Sequence, residues 1–234
     1  MIDVGGTNVK VFGMRGKEIA KNPSGSKMTA AKMVKEVRSL VDLSRYSRVS
    51  IGYPGPVVHR RPVSEPHNLA AGWVGFDFER AFGRPVKIVN DAALQALGSY
   101  EGGRMLFLGL GTGLGSALIV EGVVEPMELA HLPYRNGRTF EGYVGARGLK
   151  RLGKHKWKGH VLRVVSQLKE ALQTEYVVLG GGNVRLFKTL PKDVHRGENS
   201  KAYEGGCRLW QEASRIASRR PLAGRGKQLT QGAR

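Results

Sequence analysis

Apolar residues fall in short runs along this chain, and many of the runs end on glycine, asparagine or aspartate. The sharpest boundary follows Pro85-Val86-Lys87-Ile88-Val89, which stops at Asn90-Asp91 and gives way to Ala92-Ala93-Leu94-Gln95-Ala96-Leu97. That pattern predicts a buried strand feeding a helix, with a carboxylate delivered where the two meet. Ligands bind at strand ends in α/β sheets, so Asp91 is placed to act as a general base or to hold a metal. Asn and Asp are equally the best helix N-caps. On this segment alone both readings stand.

The rest of the chain reads in the same terms. Residues 2–11 predict two short strands about Gly5-Gly6-Thr7, with the strand signal continuing through Phe12 and a turn at Arg15-Gly16-Lys17. Pro23-Ser24-Gly25-Ser26 reads as loop. Met33, Val34, Val37, Leu40 and Val41 recur at helical spacing within residues 28–43. A strand over 48–52 ends at Pro54-Gly55-Pro56, residues 57–75 look like loop, and 76–82 fit a short helix. Strands over 104–110 and 116–120 flank a second glycine turn, and residues 128–138 look irregular and polar. Helices are expected over 140–152 and 160–172, then a buried strand, Tyr176-Val177-Val178-Leu179, running into Gly180-Gly181-Gly182-Asn183. A last helix is expected over about 200–218. The strand-then-glycine unit thus appears near residues 5, 111 and 181, which suggests a two-lobed α/β protein clasping a phosphate between its lobes.

Composition narrows this further. With 234 residues, 41% hydrophobic and 24% charged, the chain can bury a substantial core. Its 38 Lys+Arg against 19 Asp+Glu give a net charge of +19, a surface that attracts polyanions. Part of the excess lies in residues 219–234, read as a basic tail. The single cysteine, Cys207, excludes an intramolecular disulfide and a cysteine-rich zinc site. No leader pattern and no 18-residue apolar span occurs, so a soluble, cytoplasmic protein without membrane contact is expected.

Three constellations carry chemistry. Asp3-Val4-Gly5-Gly6-Thr7-Asn8 presents successive backbone N–H groups and a hydroxyl, an anion nest beside which Asp3 can hold Mg²⁺ through water. Lys10 either adds a point charge there or faces solvent as a strand residue. Gly109-Leu110-Gly111-Thr112-Gly113-Leu114-Gly115 is a second nest. It lacks the Gly-Lys-Ser/Thr of a P-loop and opens no helix, against a Rossmann fingerprint. Finally, Glu128 and His131 stand three apart, with Glu141 at a helix start. Two carboxylates and an imidazole suit the vicinal hydroxyls of a sugar. Glu141 equally suits the positive end of a helix dipole.

Together these motifs resemble the ROK sugar kinases of the actin-like ATPase superfamily, and within them the polyphosphate glucokinase (polyphosphate/ATP glucomannokinase) branch. Asp3-Val4-Gly5-Gly6-Thr7 and Leu108-Gly109-Leu110-Gly111-Thr112-Gly113-Leu114-Gly115 look like the two phosphate loops, and Asn68-Leu69 with Trp73 like an Asn-Leu-x-x-x-Trp stretch. Asn90-Asp91-Ala92 matches the segment holding the family's catalytic base, and Glu128-Leu129-Ala130-His131 its sugar-binding Glu-x-Gly-His. Lys156-Trp157, Leu179-Gly180-Gly181-Gly182-Asn183, Gly197-Glu198-Asn199 and Gly205-Gly206-Cys207-Arg208-Leu209-Trp210 resemble landmarks of the polyphosphate branch.

The resemblance implies an α/β, two-lobed actin-like ATPase (ribonuclease H-like) fold with a ligand cleft between lobes. The expected division is a small lobe over 1–90, with the last helix packing back on it, and a large lobe over 91–199. The implied activity is transfer of phosphate from polyphosphate and/or ATP to the 6-hydroxyl of glucose, with Asp91 as base. Asn68, Asn90, Glu128, His131 and Glu141 would hold the sugar, Mg²⁺ would be required, and a homodimer is implied. The donor would be held by the two nests (Gly5, Gly6, Thr7, Asn8, Lys10; Gly111, Thr112, Gly113) and by Gly180, Gly181, Gly182 and Asn183. Three departures qualify this. The family's cysteine-rich zinc motif is missing, as in the polyphosphate branch, so zinc is not expected. Ala130 stands where glycine is usual, which puts rate and sugar preference in question. No helix-turn-helix precedes Asp3, against a repressor role. The rival readings are a kinase for mannose or another hexose, and a retired kinase fold acting as a polyanion or nucleic-acid binder.

Overall fold

The computed structural model describes residues 1–198 and 201–211. Most of the expected last helix and the basic tail lie outside the described residues.

β1 (Ile2–Val4) and β2 (Asn8–Phe12) form a hairpin about Gly5-Gly6-Thr7, and β3 (Glu18–Pro23) pairs antiparallel with β2. After α1 (Ala30–Leu40), β4 (Val49–Tyr53) runs parallel to β1. A small hairpin of β5 (Val57–Val58) and β6 (Arg61–Pro62) and the helix α2 (Phe78–Phe82) precede β7 (Val86–Asn90), which lies parallel to β4. The helix α3 (Asp91–Ser99) then leads into three successive antiparallel strands, β8 (Arg104–Leu110), β9 (Leu114–Val120) and β10 (Val123–Met127). The hairpin of β11 (Pro133–Arg135) and β12 (Arg138–Thr139) and the helices α4 (Phe140–Val144) and α5 (Ala146–Ala171) follow. β13 (Tyr176–Gly180) runs parallel to β8, β14 (Val194–Arg196) runs parallel to β13, and α6 (Lys201–Arg208) ends the described chain.

The two large sheets have one topology. Their orders, β3-β2-β1-β4-β7 and β10-β9-β8-β13-β14, both consist of three antiparallel strands followed by two parallel ones. The duplication makes the β1–β2 and β8–β9 turns equivalent. It also makes α3 and α6 equivalent, since each follows the fifth strand of its sheet. Two glycine turns found separately along the chain are therefore one structural feature used twice.

Local sequence explains most of the elements. α1 buries Ala30, Met33, Val34 and Val37 on one face, and Thr29 caps it by accepting from the Lys32 N–H at 3.1 Å. It is shorter at both ends than the 28–43 pattern indicated. The expected pair of helices over 140–152 and 160–172 needs correction. The chain breaks at Gly145, inside the first of them, and again at Gly153 (φ 72°, ψ 162°), where the first was expected to end. The second then begins directly after Gly153, well before residue 160, and runs through Ala171. The basic run 154–158 hid the periodicity, but Trp157 within it is fully buried and donates to the Val144 carbonyl at 2.9 Å. The 128–138 stretch, expected to be irregular, contains the β11–β12 hairpin. Its Asn136-Gly137 turn has φ 48° and 67°, the left-handed pair such a turn requires.

Each lobe has its own core, and a third cluster joins them. α3 is buried on nearly all sides, through Ala92, Ala93, Leu94, Ala96, Leu97 and Gly98, and packs against Phe107, Ala117, Ile119 and Ala202. α6 crosses it at glycines: a methyl group on Gly98 would overlap the Lys201 carbonyl, and one on Gly205 the Leu94 carbonyl. From the other side, Ser50 on β4 donates to the Gly206 carbonyl at 2.7 Å and Lys87 on β7 to the Leu209 carbonyl at 2.7 Å. Among the described residues no helix is long and apolar enough to cross a membrane.

Backbone cannot yield as a side chain can, so Gly98→Ala should cost at least about 2 kcal/mol in urea denaturation. Gly159→Ala, with open space around its α-carbon on α5, should instead gain about 0.5–1 kcal/mol. Equal effects at the two sites would contradict the helix crossing described.

Candidate active site

β7 ends at Asn90 and α3 begins at Asp91, as the apolar run indicated. The two roles open for this pair are divided between the residues. Asn90 caps the helix, its Oδ1 accepting from the N–H groups of Ala92 at 2.9 Å and Ala93 at 3.4 Å, while its amide donates to the Gly55 carbonyl at 3.1 Å. Asp91 accepts from the Ala92 N–H at 2.8 Å and presents its carboxyl to the cleft. A capped and fully packed helix thus holds the carboxylate still.

That cleft, of about 850 Å³, lies between the lobes. The first lobe contributes Gly6, Thr7 and Asn68, and the second contributes Gly111, Thr112, Gly113, Glu128, His131, Glu141 and Gly181. Asn90 and Asp91 stand where the lobes join. Residues separated by more than a hundred positions in sequence therefore share one space. Asp3, Gly5, Asn8, Lys10, Gly180, Gly182 and Asn183 do not line it. Gly5 and Asn8 close the first turn by an N–H···O bond of 2.9 Å, and Asn183 donates to the Gly111 carbonyl at 3.3 Å, tying the third glycine stretch to the second turn. Lys10 pairs across from Asp3 on the β1–β2 ladder.

The glycines act chiefly through close approach. Gly113 lies against the Glu141 carboxylate, which a β-carbon there would displace, and the Leu114 N–H donates to Glu141 Oε2 at 3.3 Å. Gly181 has φ 80° and abuts Leu110, so it meets both conditions that demand glycine. Glu141 sits in the first turn of α4, whose N-cap Thr139 accepts from Gly142 at 3.3 Å, so the helix-dipole reading and the cleft reading both describe it. Ala130 is buried beside His131, and Ser116 fixes that segment by donating to the Met127 carbonyl at 2.7 Å.

Charge is concentrated at Asp91. Burial and, next, the neighbouring Asp3 carboxylate push its pKa from the ordinary 3.8 up to about 7, with Glu128 adding a smaller repulsion. Burial raises Asp3 as well, opposed by Lys10. Among the described residues no group of three His, Cys, Asp or Glu could enclose a metal ion. A cation here would need ligands from water and substrate.

Gln95, His67, Ser64 and Gly55 also line the cleft and were not singled out in the sequence. Gln95 was within reach of helical spacing, four residues after Asp91 on the same face. His67 and Ser64 lie in a stretch with no periodicity to place them.

Comparison with known proteins gives consistent likenesses. The ROK family model matches residues 1–125. The polyphosphate glucokinase of Mycobacterium tuberculosis is 27% identical over 205 residues, covering 77% of this chain and 76% of that protein. Among solved structures, the inorganic polyphosphate/ATP-glucomannokinase of Arthrobacter sp. strain KM superposes with a TM-score of 0.69 at 24% identity, over 88% of this chain and 97% of the other. A ROK family glucokinase from Streptomyces griseus, solved with glucose and AMPPNP, gives 0.65 at 17% identity, over 89% and 97%. The architecture is the two-lobed actin-like ATPase fold expected from the motifs.

Because the folded-state pKa of Asp91 lies above its unfolded value, its ionisation opposes folding. The penalty is absent below about pH 4, grows as pH rises, and is complete above about pH 7. Asp91→Asn should therefore stabilise the protein at pH 8 by about 1–2 kcal/mol, a figure discounted for cleft water, and leave it unchanged at pH 4. Denaturation at the two pH values checks this; an equal change at both would contradict it.

Proposed function

This chain belongs to the ROK family, and from that membership we propose that it is a sugar kinase, moving a phosphoryl group from inorganic polyphosphate or ATP to the 6-hydroxyl of glucose. The observation that carries the reading is the position of Asp91, a carboxyl with a pKa raised to about 7, facing Thr7, Thr112 and Gly113 across one cleft with Glu128, His131 and Glu141. The likeness to the M. tuberculosis and Arthrobacter proteins supports the choice of sugar and donor.

In this reading Glu128, His131, Glu141 and Asn68 take the sugar hydroxyls and fix the angle of attack. Asp91 accepts the proton of the 6-hydroxyl as the new O–P bond forms. The donor's terminal bridging P–O bond breaks, leaving the donor one phosphate shorter with the negative charge on its new end. Backbone N–H groups of the two glycine turns, held by the ladders behind them, face the phosphates and stabilise charge spread over the transferring group. Closure of the lobes over a bound sugar would exclude water, the competing acceptor.

A Mg²⁺ ion fits this site. Asp3 and Asp91 are enclosed close enough to repel each other, and Mg²⁺ characteristically takes one or two carboxylates plus phosphate oxygens and water. Asp3 would hold it through water, and when bound it neutralises charge on the donor phosphates.

Asp91→Asn should lower turnover with glucose by roughly 10²–10⁴-fold while leaving glucose binding within a few-fold. Steady-state assays with glucose or mannose, each with ATP or polyphosphate, check activity and identify the preferred pair. Undiminished turnover in a folded Asp91→Asn variant would overturn the assignment. Polyanion binding with no kinase activity in the native protein would favour the retired-fold reading.

A further inference from the structure

A band of positive charge begins at the second glycine turn and leads away from the cleft. Between Glu141 and Glu170 the chain has eight Lys or Arg side chains and no carboxylate. A solvated helix face ordinarily mixes signs along its length. Only Lys169 of these eight makes an ion pair among the described residues.

The start of the band is tied to the phosphate turn. The Ala146 N–H, at the head of α5, donates to the Thr112 carbonyl at 3.0 Å, so Arg147 stands next to the nest. Arg151 follows one helical turn later, about 6 Å further along. It lies over the Tyr143 ring at 5.1 Å and donates to the Gly142 carbonyl at 2.7 Å. Tyr143 in turn contacts His160 at 4.7 Å between ring centres, and the Tyr134 hydroxyl sits 3.1 Å from His160 Nδ1. Around His160 gather Arg135, Arg151 and Arg163; burial first, and then these three guanidiniums, keep its pKa below the usual range. All three arginines, and Arg147, are exposed. Like charges gathered without carboxylates raise one another's energy, and an anion spanning them removes that cost.

We propose that Arg147, Arg151, Arg135 and Arg163 form a track for the distal part of a linear phosphate polymer whose reacting end lies in the Gly111-Thr112-Gly113 turn. The inference rests on the polyphosphate-donor reading above and assigns specific residues to polymer recognition. Guanidinium groups suit the task, since their planar donors pair with successive phosphate oxygens. A short donor fills the turn alone. A long one also engages the arginines, so the track sets preference for chain length.

The test compares the native protein with Arg135→Gln/Arg147→Gln/Arg163→Gln and with each single variant. Arg151 is left intact because it supports α4, which carries Glu141. Initial rates are measured with glucose and long-chain polyphosphate, tripolyphosphate or ATP over a salt series. The triple variant should show a KM for the long chain raised about tenfold and a shallower salt dependence. Its KM for glucose, for tripolyphosphate and for ATP should be unchanged, as should its thermal midpoint. An unchanged KM for the long chain, with native activity on that donor, overturns the track alone. If the native protein uses ATP and no polyphosphate, the donor reading falls and the track with it. RNA binding lost in the triple variant while polyphosphate kinetics stay native assigns the patch to nucleic acid, and also overturns the proposal.

Discussion

The constraint on which this structure depends is that one helix belongs to both lobes. α3 leaves the last strand of the first sheet and packs on the face of the second, so its surface is apolar almost all round and rich in alanine and glycine. Small residues are required because backbone meets backbone there: Gly98 and Gly205 admit no β-carbon, and a β-carbon on Gly115 would press on Ala92. A helix so placed has only one end free to face ligand. That end begins with Asp91.

The surroundings of Asp91 set its chemistry. A carboxylate at a helix N-terminus ordinarily gains stability from the dipole and from backbone N–H groups. Here enclosure and the nearby Asp3 outweigh those gains and raise its pKa to about 7, where a carboxyl accepts a proton near neutral pH. The cost in folding stability is a local one. It is offset by three core clusters and by the ties from Ser50 and Lys87 to the α6 segment, which hold the junction together. A site in which charge is held where folding alone would not place it accords with catalysis.

The features visible in the sequence were those with local causes. The Asn90-Asp91 boundary, both glycine turns and the apolar face of α1 follow from residue types and spacing over fewer than about a dozen positions. What escaped was non-local or disguised. β3 is an exposed edge strand without strong alternation, and the basic run 154–158 concealed a helix anchored by one buried tryptophan. The duplicated sheet order depends on pairings such as β8 with β13, which no local pattern encodes. At the site, Glu128, His131 and Glu141 group by their chemistry and Asn68 joins them through family likeness, and the structure places all four on one cleft. Gln95 shares it through a spacing that was readable, His67 through a loop that was not.

Asp91 as the proton acceptor is tested most directly by the pH dependence of kcat/KM for glucose in the native protein and in Asp91→Asn. The native profile should lose rate on the acid side with a midpoint near the value of about 7 set by burial and Asp3. The residual rate of Asp91→Asn should lack that limb. An acid limb of the same midpoint in the variant would contradict the account, because the titrating group would then be another residue.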